Sequence, residues 1–239
     1  MRPALSPRSG SVVHAGRVEP IFAAALADDP AGIAAIATRT PGAVAQCVRV
    51  DVLVPELPHM LYRGDTPLHL AAAGLRYDAA RALLDAGTPV GAVNRRGATA
   101  LHYACDPRPS SPTWDPAAQR RIIDLLVSRG AEVDRPDRGG VTALHRAVRA
   151  RGPAAVSALL SAGADPRAAT GKTGSTPLHL AVASTGAGGT AGTDDLQLEI
   201  VRMLLAAGAA MTDVDRNGVA VLDRVQSRTL REALAAGHR

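Results

Sequence analysis

The residues with the chemical means to bind a metal or move protons are few, and their spacing argues against both uses. Four of the seven histidines, His69, His102, His145 and His179, occupy one position of a recurring hexapeptide, while His14, His59 and His238 form no spacing motif. The two cysteines, Cys47 and Cys105, stand in unrelated contexts and make neither a disulfide framework nor a CxxC metal or redox pair. Gly171-Lys172-Thr173 has the ending of a phosphate-binding loop. The earlier glycine such a loop needs falls at Pro166, and the segment reads as a hairpin rather than the entry to a long helix. No GxSxG, HExxH or GxGxxG pattern occurs, and the aspartates sit where short acids accept from backbone N–H groups in turns and caps. The expectation is a chain with no catalytic residue, no metal and no cofactor.

The elements that hold those histidines are repeats. Thr66-Pro67-Leu68-His69-Leu70-Ala71 recurs as Thr99-Ala100-Leu101-His102-Tyr103-Ala104, as Thr142-Ala143-Leu144-His145-Arg146-Ala147 and as Thr176-Pro177-Leu178-His179-Leu180-Ala181. A degraded fifth copy runs from Ala220 to Val225. Each copy is followed by apolar residues and a glycine: Leu83-Leu84 with Gly87, Leu125-Leu126 with Gly130, Leu159-Leu160 with Gly163, Leu204-Leu205 with Gly208, and Ala233-Leu234 with Gly237. Threonine caps a helix, proline is tolerated in its first turn and leucine begins the buried face, so the hexapeptide starts an inner helix. The paired leucines bury an outer helix, and the glycine past them ends it.

Two intervals separate what is constant from what varies. From terminal glycine to the next threonine position the spacing is 12, 12, 13 and 12 residues, which predicts an invariant connecting hairpin. From threonine to glycine it is 21, 31, 21, 32 and 17, so repeats two and four carry insertions of 10 and 11 residues and the last repeat is short. The pattern resembles the ankyrin repeat, over roughly Tyr62 to Gly237, and is expected to be a bacterial-type member. That resemblance implies an all-α solenoid of helix-turn-helix repeats joined by β-hairpin loops. It also implies that the repeated histidine ties helix to hairpin. Successive copies in such a stack lie about 10 Å apart, too far to share one metal whose bonds are near 2 Å.

The expected organisation is a disordered tail over 1–18, capping helices and an extended connector over 19–61, and repeats over 62–93, 94–134, 135–167 and 168–212, with a capping repeat over 213–239. The insertions are loops at 106–116, Pro-rich with Trp114, and at 184–195, Gly/Thr-rich. The connector alternates like a strand from Cys47 to Leu57 but holds Pro55 and Pro58, which argue against pairing.

Hydrophobic residues make up 46% and aromatics 2%, a core of Ala, Leu, Val and Ile that suits stacked helices. No apolar run approaches a membrane span and Met1 to Arg17 lacks the apolar core of a secretory signal; with only two unrelated cysteines, a reduced cytoplasmic setting is expected. The formal charge is +5 and Lys172 is the only lysine, a bias that a GC-rich genome also produces. Every hairpin tip nonetheless carries a base: Tyr62-Arg63, Arg95-Arg96, Asp137-Arg138, Lys172-Thr173 and Arg216-Asn217. The inner helix of repeat three adds Arg146, Arg149 and Arg151.

The ankyrin resemblance places partners on hairpin tips and inner helices. Arg63, Arg95, Arg96, Arg138, Arg146, Arg149, Lys172 and Arg216 are therefore the candidate contacts of a cationic stripe that engages an acidic protein surface. Trp114 is either tucked against neighbouring helices or held out as a contact anchor. A monomeric, non-catalytic protein-interaction module follows. The alternatives are a weak electrostatic nucleic-acid binder, disfavoured because five aromatic residues form no stacking platform, and a regulatory or inhibitory subunit of a separate enzyme.

Overall fold

The computed structural model describes residues 13–14, 17–40, 42–54, 59–111, 114–183, 194–227 and 230–232. The first ten-residue stretch, most of the second insertion and the final glycine signature lie outside these residues. Five helix pairs follow one another: α1 (Pro20–Leu26) and α2 (Pro30–Arg39), α3 (Pro67–Ala73) and α4 (Tyr77–Asp85), α5 (Ala100–Ala104) and α6 (Pro116–Ser128), α7 (Ala143–Arg149) and α8 (Pro153–Ser161), α9 (Pro177–Val182) and α10 (Asp194–Ala206). The odd-numbered inner helices pack in a row, as do the even-numbered outer ones, so each pair buries its leucines against the next. Leu68, Leu101, Leu144 and Leu178 of the inner row and Leu83, Leu126, Leu159 and Leu204 of the outer row are fully buried. The pair α1–α2 stacks on α3–α4 as a complete repeat would. At the other end the inner helix shrinks to a 3-10 turn, Leu222–Arg224, flanked by buried Val221 and Val225.

The threonine–histidine pairs do what the resemblance implied. In all four copies the threonine N–H donates to histidine Nδ1 at 3.1–3.2 Å. The proton therefore sits on Nε2, which donates to the carbonyls of Ala98, Val141, Ser175 and Val219 in the next hairpin at 3.0–3.2 Å. Each histidine thus caps its own helix and pins the following repeat. Among the described residues no group of three or more metal-binding side chains converges.

The connector departs from expectation. Strands β3 (Val52–Val54) and β4 (His59–Leu61) pair antiparallel, Val52 opposite Leu61 and Leu53 opposite Met60. Strand β3 covers three residues of the alternating run from Cys47 to Leu57, and Pro55 and Pro58 lie outside the described residues. Within the stretch expected to be tail, β1 (Val13–His14) pairs with β2 (Arg17–Val18).

The insertions pose a local problem that the sequence reading did not foresee. In the compact repeats the backbone N–H at the outer-helix entry, Arg76 or Gly152, donates to the inner-helix carbonyl of Ala71 or Ala147. An inserted loop removes that backbone donor. Its place is taken by a buried glutamine at the same distance from the terminal glycine: Gln119 Nε2 donates to the Ala104 carbonyl at 3.0 Å and Gln197 Nε2 to Ala181 at 2.7 Å. Gln119 also accepts from the half-buried Trp114 indole at 2.9 Å, so the loop closes on the helix it interrupts. Replacing Gln119 by Leu is expected to destabilise the chain by about 1–3 kcal/mol, through an orphaned carbonyl and indole. The same change is expected to red-shift the fluorescence of Trp114, the one tryptophan.

Candidate partner-binding groove

The hairpin tips form a continuous ladder. Arg95 N–H donates to the Arg63 carbonyl at 2.7 Å, Arg138 to Arg96 at 2.9 Å, Gly171 to Gly139 at 2.9 Å and Arg216 to Thr173 at 3.0 Å. Hairpin residues Asn94, Asp137 and Asp215 each take two N–H groups of their own turn on one side-chain oxygen, which fixes the shape of each tip. The side chains between these tips and the inner helices are thereby held in register along the stack.

One open groove of about 910 Å³ lies against this ladder, lined among others by Met60, Tyr62, Arg95, Arg96, Arg138 and Arg149. Five of the eight predicted basic residues, Arg95, Arg96, Arg138, Arg146 and Arg149, come together there. Arg63, Lys172 and Arg216 are exposed on tips outside it, so the expected single stripe is a cluster around repeats one to three with separate charges beyond.

The clustered arginines divide by what already holds them. Arg95 is ion-paired with Asp51, whose carboxyl the Arg95 side chain and the Arg63 amide hold below its ordinary range. Arg96 lies over the Tyr62 ring at 4.8 Å and donates to its hydroxyl at 2.9 Å. Arg146 is largely buried and pairs with Asp106 at 2.9 Å and Asp137 at 3.5 Å. It is a floor residue of the groove, tying the first insertion to the next hairpin. Arg151 is not on the groove: it is buried and donates to the carbonyls of Ala181 and Ala183 at 2.8 and 2.9 Å, capping the end of α9. Trp114 is half-buried and hydrogen-bonded to Gln119 rather than aimed into the groove.

Arg138 and Arg149 remain, and a residue missed in the sequence, Arg108 of the first insertion, joins them. All three are exposed, and no side-chain hydrogen bond or ion pair engages them among the described residues. The signal for Arg108 was its place in an inserted loop at the edge of the tips. Beneath the groove, Tyr103 is buried with its hydroxyl donating to Asp65 at 2.6 Å, and Asn94 links the two. Burial and the adjacent Asp65 carboxylate hold that phenol protonated, so it is a structural network under the site rather than an acid or base in it.

The comparison with known proteins decides the family. A model of ankyrin repeats (three copies) matches residues 35–109 and 116–217. The chain belongs to the ankyrin-repeat family. This ankyrin-repeat chain is 33% identical over 165 residues to the B-cell lymphoma 3 protein homolog of Mus musculus, covering 69% of this chain and 33% of that protein. It is 32% identical over 120 residues to the nuclear factor NF-kappa-B p105 subunit of Gallus gallus, 49% of this chain and 11% of that one. It is 32% identical over 164 residues to the glycerophosphocholine phosphodiesterase gde1 of Schizosaccharomyces pombe, 69% of this chain and 13% of that enzyme. The chain thus spans a third or less of each of these relatives. The match to an enzyme is partial and runs through ankyrin repeats, which are a protein-interaction scaffold and not a catalytic one.

Proposed function

We propose that this ankyrin-repeat module holds a protein partner in the groove between its hairpin tips and inner helices, and that the partner presents an acidic surface there. The observation that carries the reading is the division among the arginines. Arg95, Arg96 and Arg146 are engaged by groups of the fold itself, while Arg108, Arg138 and Arg149 at its edges are exposed and, among the described residues, without a side-chain hydrogen bond or ion pair. Carboxylates seated against them make charge-assisted hydrogen bonds, stronger than neutral ones, without first breaking an internal ion pair.

A nucleic-acid reading finds less support, because base stacking needs free aromatic faces. Tyr62 carries Arg96, Tyr77 carries Arg121 at 4.3 Å, Tyr103 and Phe22 are buried, and Trp114 is half-buried and tied to Gln119. We further propose a monomer acting in the cytoplasm, a setting that suits two free thiols.

The test is quantitative capture from an extract of the source cell, with wild type and the triple variant Arg108→Glu, Arg138→Glu, Arg149→Glu as baits. Proteins held by wild type are expected to fall at least tenfold on the variant, about 1.4 kcal/mol or more, and to elute from wild type as salt rises. Arg63→Glu, Lys172→Glu and Arg216→Glu, outside the groove, are expected to lower capture about twofold or less. An unchanged captured set on the groove variant would remove the proposal.

A further inference from the structure

Between the terminal glycine of one repeat and the threonine of the next, the chain uses 12 or 13 residues four times, yet 24 separate Gly42 from Thr66. The additional residues build the β3–β4 hairpin. Its inner face is core: Val52, Val54 and Leu61 are 6%, 6% and 0% exposed. Its outer face is also apolar, with the register partners Leu53 and Met60 exposed by 55% and 37%. A half-buried hairpin ordinarily turns polar side chains outward, and exposed apolar residues in contact with one another mark interaction sites more often than single ones do.

The hairpin is also held still. Asp51 accepts from the Arg63 N–H at 2.9 Å and pairs with Arg95, and Val48 exchanges backbone hydrogen bonds with Gly64 and Asp65 at 2.8 Å. A pre-formed apolar ledge loses little conformational freedom when something docks on it. Met60 lines the groove itself, so the ledge runs directly into the arginine-edged groove.

From this continuity we infer that the hairpin is the apolar half of a two-part docking surface, whose occupant is an extended acidic segment of a partner protein carrying an apolar side chain for the Leu53–Met60 ledge. The inference rests on the groove reading above and adds the shape and composition of what fills it. The groove reaches from the hairpin before repeat one to the inner helix of repeat three, two repeat steps or about 20 Å at roughly 10 Å per packed helix. An extended chain covers that with about six residues at ~3.3 Å each. Charge complementarity selects the occupant: the exposed cations Arg108, Arg138 and Arg149, unpaired among the described residues, disfavour a second copy of this chain, whose formal charge is +5.

The experiment selects from a random 16-residue peptide library displayed on phage, with the full chain as bait, and follows the most enriched sequence as a fluorescein-labelled synthetic peptide. Enriched peptides are expected to carry a run of Asp or Glu beside Leu, Ile, Met or Phe. Leu53→Thr with Met60→Thr, exposed changes that retain strand propensity, is expected to weaken binding tenfold or more while leaving its salt dependence intact. Arg138→Glu with Arg149→Glu is expected to weaken binding and flatten the salt dependence. In the unaltered protein the methyl carbon resonance of Met60 is expected to shift on peptide addition. Affinity within twofold of wild type for the threonine variant, with no Met60 shift, would overturn the inference and leave the groove reading standing if the arginine variant still fails. Loss of neither would overturn both. Selection of no peptide, or of peptides lacking the acidic run, would also overturn it.

Discussion

Acidification from pH 7 to about pH 4 is expected to remove roughly 3 kcal/mol of stability through His102 alone. Burial pushes the His102 imidazole down from 6.5 to about 4, with the nearby Arg146 charge acting in the same direction. His145 is lowered too, again by burial first. Geometry favours the neutral form: Nδ1 accepts from the Thr99 N–H and Nε2 donates to the next hairpin, so a proton on Nδ1 displaces the backbone hydrogen bond of the cap.

Between pH 6.5 and 4 the unfolded chain takes up a proton at this ring that the folded chain refuses. The stabilisation is therefore complete above pH 6.5, declines as pH falls through that window and is gone below about 4. Asp51, held below its ordinary 3.8, acts only at lower pH, which keeps the two effects apart. Urea unfolding followed by circular dichroism at intervals from pH 7.5 to 4.5 measures the slope. A His102→Asn variant is expected to be less stable at pH 7 and to show a shallower decline.

The second large effect is expected at the hairpin tips. Gly140 has φ +75°, and a Cβ placed on it would lie 2.1 Å from the backbone nitrogen of Gly171 in the next tip. Neither atom of that collision belongs to a side chain able to swing away. Gly140→Ala is expected to destabilise by about 3 kcal/mol, combining the left-handed backbone with overpacking. Gly218 has nearly the same φ, +74°, at the last tip, and a Cβ there meets nothing within 4 Å. Gly218→Ala is therefore expected to cost only about 1–2 kcal/mol. Equal losses at the two sites in urea titrations would show that tip-on-tip packing contributes nothing beyond backbone conformation.

The contrast between these two glycines also shows what a sequence conveys and what it withholds. The threonine–histidine caps and the leucine rows were legible because each depends on residues a few positions apart, repeated four times. The hairpin before repeat one was half legible: Val48, Val50 and Val52 alternate with Arg49 and Asp51 as a strand can, but two prolines can sit between strands as well as inside one, and spacing alone does not distinguish them. Gln119 and Gln197 stand eleven residues before Gly130 and Gly208, a coincidence visible in the sequence. Its meaning appears only once the insertions are seen to displace a backbone donor.

Charge was the least legible property. Arg146 and Arg149 are three residues apart on one helix, yet one is enclosed by Asp106 and Asp137 and the other is exposed. Those acids come from an inserted loop and a neighbouring hairpin, contacts across repeats that local spacing does not encode. For the same reason Arg151 reads as a surface base and proves to be a buried helix cap, its own backbone left-handed at φ +58°.

The central claim, that a partner protein is held in the arginine-edged groove, is tested most directly by amide hydrogen exchange on the chain alone and on the complex purified from the source cell. Slower exchange is expected in residues 59–63, 94–98 and 137–141, the hairpin and the two tips that border the groove, with the outer helices α4, α6, α8 and α10 unchanged. Protection confined to those outer helices, with the three groove segments exchanging as in the free chain, would contradict it.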